Sequence, residues 1–151
     1  PIRSIQPKIL GIPNWIVFFQ FFFERDRTAF NQKFSLGQIE NKFLREQFKD
    51  PRIHFAIVCA SIGCPLLRNE AYFPDRIDRQ LEEDKLRFIQ NPEKVRFHQN
   101  VLYCSKIFKW YRKDFLSVAN SIPEYIDSGI PSSTQISYLD YDWSLNQAAT
   151  N

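Results

Sequence analysis

Three observations predict an α+β fold, a small and mainly antiparallel sheet packed with about four helices in a single domain. Runs rich in β-branched and aromatic residues, at 53–59, 95–97 with 101–104, and 134–139, read as strands. Between them lie segments whose apolar residues recur at helical spacing, opened by serine or closed by Asp-Pro or Asn-Pro. The third observation is size and composition: 151 residues, 44% hydrophobic and 25% charged, suffice for one substantial core and exclude a disordered chain. A mostly helical domain carrying one hairpin is the main alternative.

The elements follow in order. Residues 1–14 hold three prolines and read as an irregular lead-in. Trp15 to Phe23, WIVFFQFFF, has a single polar residue and reads as a buried strand, with a membrane-surface or partner-binding stretch as the minor alternative. At nine residues it is too short to cross a bilayer as a helix, which takes about 20. The polar connection from Glu24 to Lys33 suits a hairpin turn and its return strand. Ser35 and Gln38 have capping-box spacing, and Leu36, Ile39, Phe43 and Leu44 share one face of the helix they open. Asp50-Pro51 ends that helix and feeds the central strand.

A second helix is expected from about Asp75 to Gln90, with Ile77, Leu81 and Phe88 inward, Arg79, Glu82, Glu83 and Lys85 outward, and Asn91-Pro92 as its stop. His98-Gln99-Asn100 separates two short strands as a hairpin tip. Ser105 caps a helix through Phe115 whose buried arc is Ile107, Phe108, Tyr111 and Phe115. Lys106, Lys109, Arg112 and Lys113 fall on its opposite side, a candidate basic surface for an acidic ligand, a phosphate or nucleic acid, set against an ordinary solvated helix face. A last helix is expected over 116–126, interrupted near Pro123, and a strand over 134–139. If the chain stays extended beyond it, Asp140 and Asp142 lie on one face.

The chemistry concentrates between Asp50 and Arg68. In a strand, His54 lies with Ala56 and Val58, whereas Cys59 points the other way and sits roughly 16 Å further on at about 3.3 Å per residue. Cys64 is better placed, because the small residues Ala60-Ser61-Ile62-Gly63 permit a turn that folds it back. Pro65 suits the first position of a short helix through Leu67, which leaves Cys64 as N-cap with its sulfur in the field of a helix N-terminus. Against this stands a packing role for both cysteines and hydrogen-bonded burial for the histidine.

Three stretches, IHFAIVCASIGCPLLRNEAY from Ile53, LYCSKIFKWYRKDF from Leu102 and ISYLDYDWSLN from Ile136, resemble the family catalogued as domain of unknown function 547. The resemblance runs from roughly Phe34 to Asn146. Its recurring positions match His54, Cys59, Cys64, Pro65, Trp110, Tyr111, Phe115, Tyr141 and Asp142. Family members fused to leucine-zipper or glutaredoxin-like segments add indirect support for an interaction module, and the resemblance implies no particular activity. Two features depart from it: Leu66 follows Pro65 where many members have a second proline, and Cys104 stands where an aliphatic residue is usual. The family's upstream aromatic-Ile-Asn and Tyr-Asn pattern has no counterpart before Asp50, and the chain starts at Pro1 with no methionine. It therefore reads as the C-terminal part of a longer family domain. No targeting signal is visible in a chain whose start reads as truncated, which leaves the compartment open.

Three functions emerge. In a thiol-dependent hydrolase or acyltransferase, Cys64 is the nucleophile, His54 its base and Asp142 the carboxylate that fixes the imidazole tautomer. A non-catalytic interaction or regulatory module would instead present Trp15 to Phe23 or the basic helix to a protein partner. A redox pair would need Cys59 and Cys64 side by side. Three cysteines without C-x-x-C spacing and two histidines far apart indicate neither a disulfide scaffold nor a metal site. No cofactor motif occurs, and a net charge of +3 does not point to nucleic acid.

Overall fold

A computed structural model describes residues 27–29 and 32–146. The expected strand from Trp15 to Phe23 lies outside them. The chain divides after Lys49 into two compact units, 1–49 and 50–151.

In the first unit, β1 (Arg27–Ala29) and β2 (Gln32–Phe34) pair antiparallel, with Arg27 opposite Phe34. Ser35 then caps α1 (Leu36–Gln38) with the expected capping box. Its Oγ accepts from the Gln38 N–H at 3.1 Å, and Gln38 Oε1 accepts from the Ser35 N–H at 3.0 Å. These bonds satisfy two N–H groups that a helix start leaves open. The helix runs on in a π winding over Ile39–Phe48 and stops where Lys49 turns left-handed, at φ 54°. Phe34 meets Phe43 edge to face at 5.2 Å.

The second unit opens at Asp50. Ile53 to Cys59 is not a strand. Asp50 Oδ1 accepts the Arg52 N–H at 2.9 Å, and the Asp50 and Pro51 carbonyls accept from Ile53 and His54. Asp50-Pro51 therefore starts one helical turn, α2 (Ile53–Ala56), rather than merely ending the helix before it. An apolar run bounded by proline satisfies either reading, and burial of Ile53, His54 and Phe55 is achieved by the turn. Ile57 to Cys59 then runs outside any sheet.

The helix α3 (Ile77–Ile89) stands close to its expected bounds. Its buried residues are Gln80, Leu81, Asp84 and Phe88, whereas Ile77 is 38% exposed. Asp84 turns the face: its carboxylate receives Arg68 Nε at 3.2 Å, Tyr72 Oη at 2.6 Å and Arg87 Nη2 at 2.7 Å. The Gln80 amide adds bonds to Phe73 N–H and Ala71 carbonyl, so the 68–73 segment is strapped to the helix by buried polar groups that are all paired.

The sheet is mixed. Strands β3 (Val95–His98) and β4 (Val101–Ser105) form the expected hairpin, with Gln99 and Asn100 both at positive φ, the conformation a two-residue tip requires. β5 (Gln135–Leu139) joins β4 in parallel, Leu102 opposite Ile136, giving the order β3-β4-β5. The parallel pairing follows from the connection, since three short helices carry the chain back to the start of β4. Two are α4 (Ile107–Trp110) and α5 (Arg112–Phe115), a single expected helix broken at Tyr111, whose backbone leaves the helical region at φ −103°, ψ 24°. The third, α6 (Ile122–Ile126), is all that forms of the helix expected over 116–126. Ser121 caps it, and Pro123 sits in its first turn, where a missing N–H costs nothing.

Between sheet and helices lies the core: Phe55, Phe88, Val95, Leu102, Cys104, Ile107, Phe108, Phe115, Ile122 and Ile126. Phe55, Phe108 and Phe115 are fully buried, and their centroids lie 5.1–5.8 Å apart, the spacing of favourable aromatic pairs. Among the described residues no helix is long and apolar enough to cross a membrane.

Candidate functional site

After α2 the chain straightens for three residues, delivers Cys59, and turns through Ala60, which takes a positive φ of 60°. The turn closes when the Cys64 N–H reaches the Ser61 carbonyl at 3.1 Å. The C-terminal segment clamps it from outside. Ile62 N–H bonds the Ser144 carbonyl, Gly63 N–H the Asp142 carbonyl, and Asn146 N–H the Ala60 carbonyl, each at 2.8 Å. Lys94 Nζ donates to the Ile62 carbonyl. Gly63 lies so close under Tyr141 that a Cβ there would stand 2.8 Å from the ring.

This turn sets the two sulfurs together. Cys59 Sγ and Cys64 Sγ are 2.6 Å apart, and the Cys59 N–H donates to Cys64 Sγ at 2.8 Å. Two hydroxyls complete the cluster. Ser61 Oγ is 3.1 Å from Cys59 Sγ and donates to Tyr141 Oη at 3.0 Å, and Tyr141 Oη is 3.4 Å from Cys59 Sγ. Cys64 and Ser61 are buried, Cys59 only partly so.

The electrostatics follow from the shared proton. The Cys64 hydrogen bond is the main cause that lowers the Cys59 thiol to about 5; burial opposes it and bonds from Ser61 and Tyr141 assist. The same bond is the main cause that pushes Cys64 up, followed by burial and the neighbouring Cys59 charge. Burial, then the Cys64 charge, pushes the Tyr141 hydroxyl up as well. Lys94 is lowered by burial, against the pull of Cys64, Asp142, Glu93 and Cys59. Cys104, wholly within the core, is pushed up to about 12 by burial and serves as packing.

The other residues singled out by sequence distribute differently. Pro65 to Arg68 is an irregular segment, so the short helix expected to begin at Pro65 does not form. His54 Nε2 lies 2.8 Å from Asp114 Oδ2, with the ring stacked on Tyr111 at 3.8 Å. Cys64 bonds through its sulfur to Cys59, and His54 is not among its described partners. Asp142 touches the cysteine loop through its carbonyl, while its carboxylate accepts the Ser144 N–H at 2.8 Å. That bond lowers the Asp142 carboxyl. Asp140 instead pairs with Lys106 at 2.8 Å, away from the cysteine loop. On the basic face, Lys109 lies over the Tyr138 ring and Arg112 and Lys113 are solvent-facing.

Sequence reasoning missed Asp114, Ser61 and Tyr141 as partners of the singled-out residues. Asp114 carried a readable signal, a carboxylate between the partly buried Tyr111 and the buried Phe115 of one expected helix arc. Ser61 did too, two residues from Cys59. Tyr141 is 82 residues from Cys59, and nothing local announces that contact. Among the described residues no group of three or more His, Cys, Asp and Glu could hold a metal ion.

A family model described as "Protein of unknown function, DUF547" matches residues 13–89, just over half of the chain. The match takes in α2, the cysteine turn and α3, begins upstream of Phe34, and ends before the 102–115 and 136–146 stretches. Curated proteins and solved structures give no match. With the cysteine turn inside the matched stretch, the chain belongs to the DUF547 family.

Proposed function

We propose that Cys59 and Cys64 form a dithiol–disulfide exchange pair. The observation that carries this reading is the contact of their sulfurs at 2.6 Å across a four-residue turn. A disulfide bond is about 2.0 Å long, so closing the pair needs only a small shift. The roles follow from exposure and charge. Cys59, partly exposed and held toward thiolate, attacks one sulfur of a disulfide on a partner molecule. A mixed disulfide forms, and the partner's first sulfur leaves as a thiolate and takes up a proton. Cys64 then loses its proton, attacks Cys59 Sγ and expels the partner's second sulfur, which is protonated in turn. The pair, which starts with one proton between its two sulfurs, has lost two electrons and that proton, and the partner has gained two electrons and two protons, the second proton from solvent. The reverse sequence oxidises a partner dithiol.

Acyl transfer by Cys64, His54 and Asp142 draws less support. The Cys64 sulfur is buried against Cys59, and the described carboxylate at His54 belongs to Asp114. An interaction module has one observation in its favour. Ile62, Leu66 and Leu67 are 49%, 52% and 76% exposed around the cysteine turn, which is apolar surface of the kind that docks partners.

The test is equilibration of the full chain in glutathione buffers of graded potential, with cysteine states resolved by peptide mass. The exchange pair predicts a Cys59–Cys64 disulfide that appears and disappears reversibly, and Cys64→Ala trapping a mixed disulfide on Cys59. Labelling that stays slow at both positions, with no bond between them at any potential, would leave the interaction module.

A further inference from the structure

The pair reading leaves open what keeps Cys59 in its attacking state. Tyr141 lies beyond β5, 82 residues from Cys59, yet it meets the cysteine turn twice. Its ring fills the space over Gly63, and its hydroxyl completes a triangle with Ser61 Oγ and Cys59 Sγ. The direction of those bonds matters. Ser61 gives its proton to Tyr141 Oη, so the single Tyr141 proton is left to face the sulfur. A tyrosine held by burial as a neutral phenol remains a donor whenever the neighbouring thiol is ionised.

We propose that Tyr141 is the positioning residue of the thiol pair: its ring seats the turn that joins the two sulfurs, and its hydroxyl, oriented by Ser61, donates to the Cys59 sulfur. The division of labour follows. Cys59, which the Tyr141 hydroxyl faces, is the attacking thiol, and Cys64, whose sulfur meets the Cys59 N–H and sulfur, is the resolving one. Among the described residues, the charged and titratable groups that act on Cys59 include Cys64 and Tyr141, with Lys94 near both thiols and Asp142 near Lys94.

The proposal rests on the pair reading for its purpose but is read separately from it. The measurement is the pH midpoint of Cys59 alkylation in the full reduced chain, resolved from Cys64 and Cys104 by peptide mass. Tyr141→Phe keeps the ring and removes the donor, so the midpoint moves up by about one pH unit and labelling below the midpoint slows about tenfold. Ser61→Ala, which leaves the tyrosine in place, moves it the same way by less. Ile122→Val, a core change remote from the turn, fixes the shift that destabilisation alone produces. A Tyr141→Phe shift no larger than that of Ile122→Val overturns the donor role. If Tyr141→Phe fails to fold, an unmoved midpoint in Ser61→Ala does so. Absence of any Cys59–Cys64 disulfide in graded buffers would instead sink the pair and leave a Tyr141-dependent midpoint standing.

Discussion

A methyl group at Gly63 has nowhere to go. It would stand 2.8 Å from two Tyr141 ring carbons and 2.9 Å from the Asp142 carbonyl, inside the van der Waals contact distance of both. The carbonyl is backbone and already bonds the Gly63 N–H, so the turn must lift away from the C-terminal segment. Gly63→Ala is expected to cost about 1–3 kcal/mol, as overpacking does, and to separate the sulfurs. Thermal unfolding checks the first effect and faster Cys64 alkylation the second; unchanged labelling would mean that the turn tolerates the methyl. The residue types at this turn are legible in the sequence. A cysteine on each side of four small or apolar residues permits a close approach, which is the condition a redox pair of Cys59 and Cys64 sets. Their partners are not legible. Reading 53–59 as a strand sets His54 and Cys59 on opposite faces and leaves Asp142 as the carboxylate to seek, whereas a helical turn gives His54 to Asp114.

At the scale of elements, α3 shows why charge pattern alone misjudges a face. The sequence assigns Arg79, Glu82, Glu83 and Lys85 to solvent and leaves Asp84 and Gln80 unassigned, yet Asp84 is 2% exposed and Gln80 wholly buried. Three donors, Arg68, Tyr72 and Arg87, meet the Asp84 carboxylate, and two of them stand 16 and 12 residues away. Removing the carboxylate leaves the Arg68 guanidinium, whose side chain is 9% exposed, with a buried face unmatched. Asp84→Ala is expected to destabilise by about 3–5 kcal/mol, the cost of breaking a buried pair by taking one partner. A chemical denaturation midpoint measures it, and a loss below about 1 kcal/mol would show that water replaces the carboxylate. Elements with chemical punctuation are the legible ones: the Ser35 capping box, the Asn91-Pro92 stop and the 95–105 hairpin. What escapes is set by distant partners: the mixed order of the sheet, the break at Tyr111 and the loss of helix before Ser121.

For the molecule as a whole, the thiol pair makes stability depend on pH in a window where few other groups titrate. Unfolded, both cysteines have an ordinary value of 9.0; folded, Cys59 drops to about 5 and Cys64 rises. Between about pH 5 and 9 the unfolded chain holds two protons at these positions and the folded chain one, so stability increases with pH. Above 9 the sign reverses, because the unfolded chain has released both while folded Cys64 keeps its own. Cys104, at about 12 when folded, deepens that fall. The lowered carboxyls of Asp50, Asp140 and Asp142 act below their ordinary 3.8, outside the window. The pair's contribution thus peaks near pH 9. Cys59→Ser removes the shared proton and with it the rise. Urea midpoints of the two proteins under reductant at pH 5.5 and 8.5 are expected to diverge, the wild type gaining on the variant as pH increases. Parallel midpoints would mean that each thiol keeps its own proton across the window, and Cys59 would lose its standing as the attacking group.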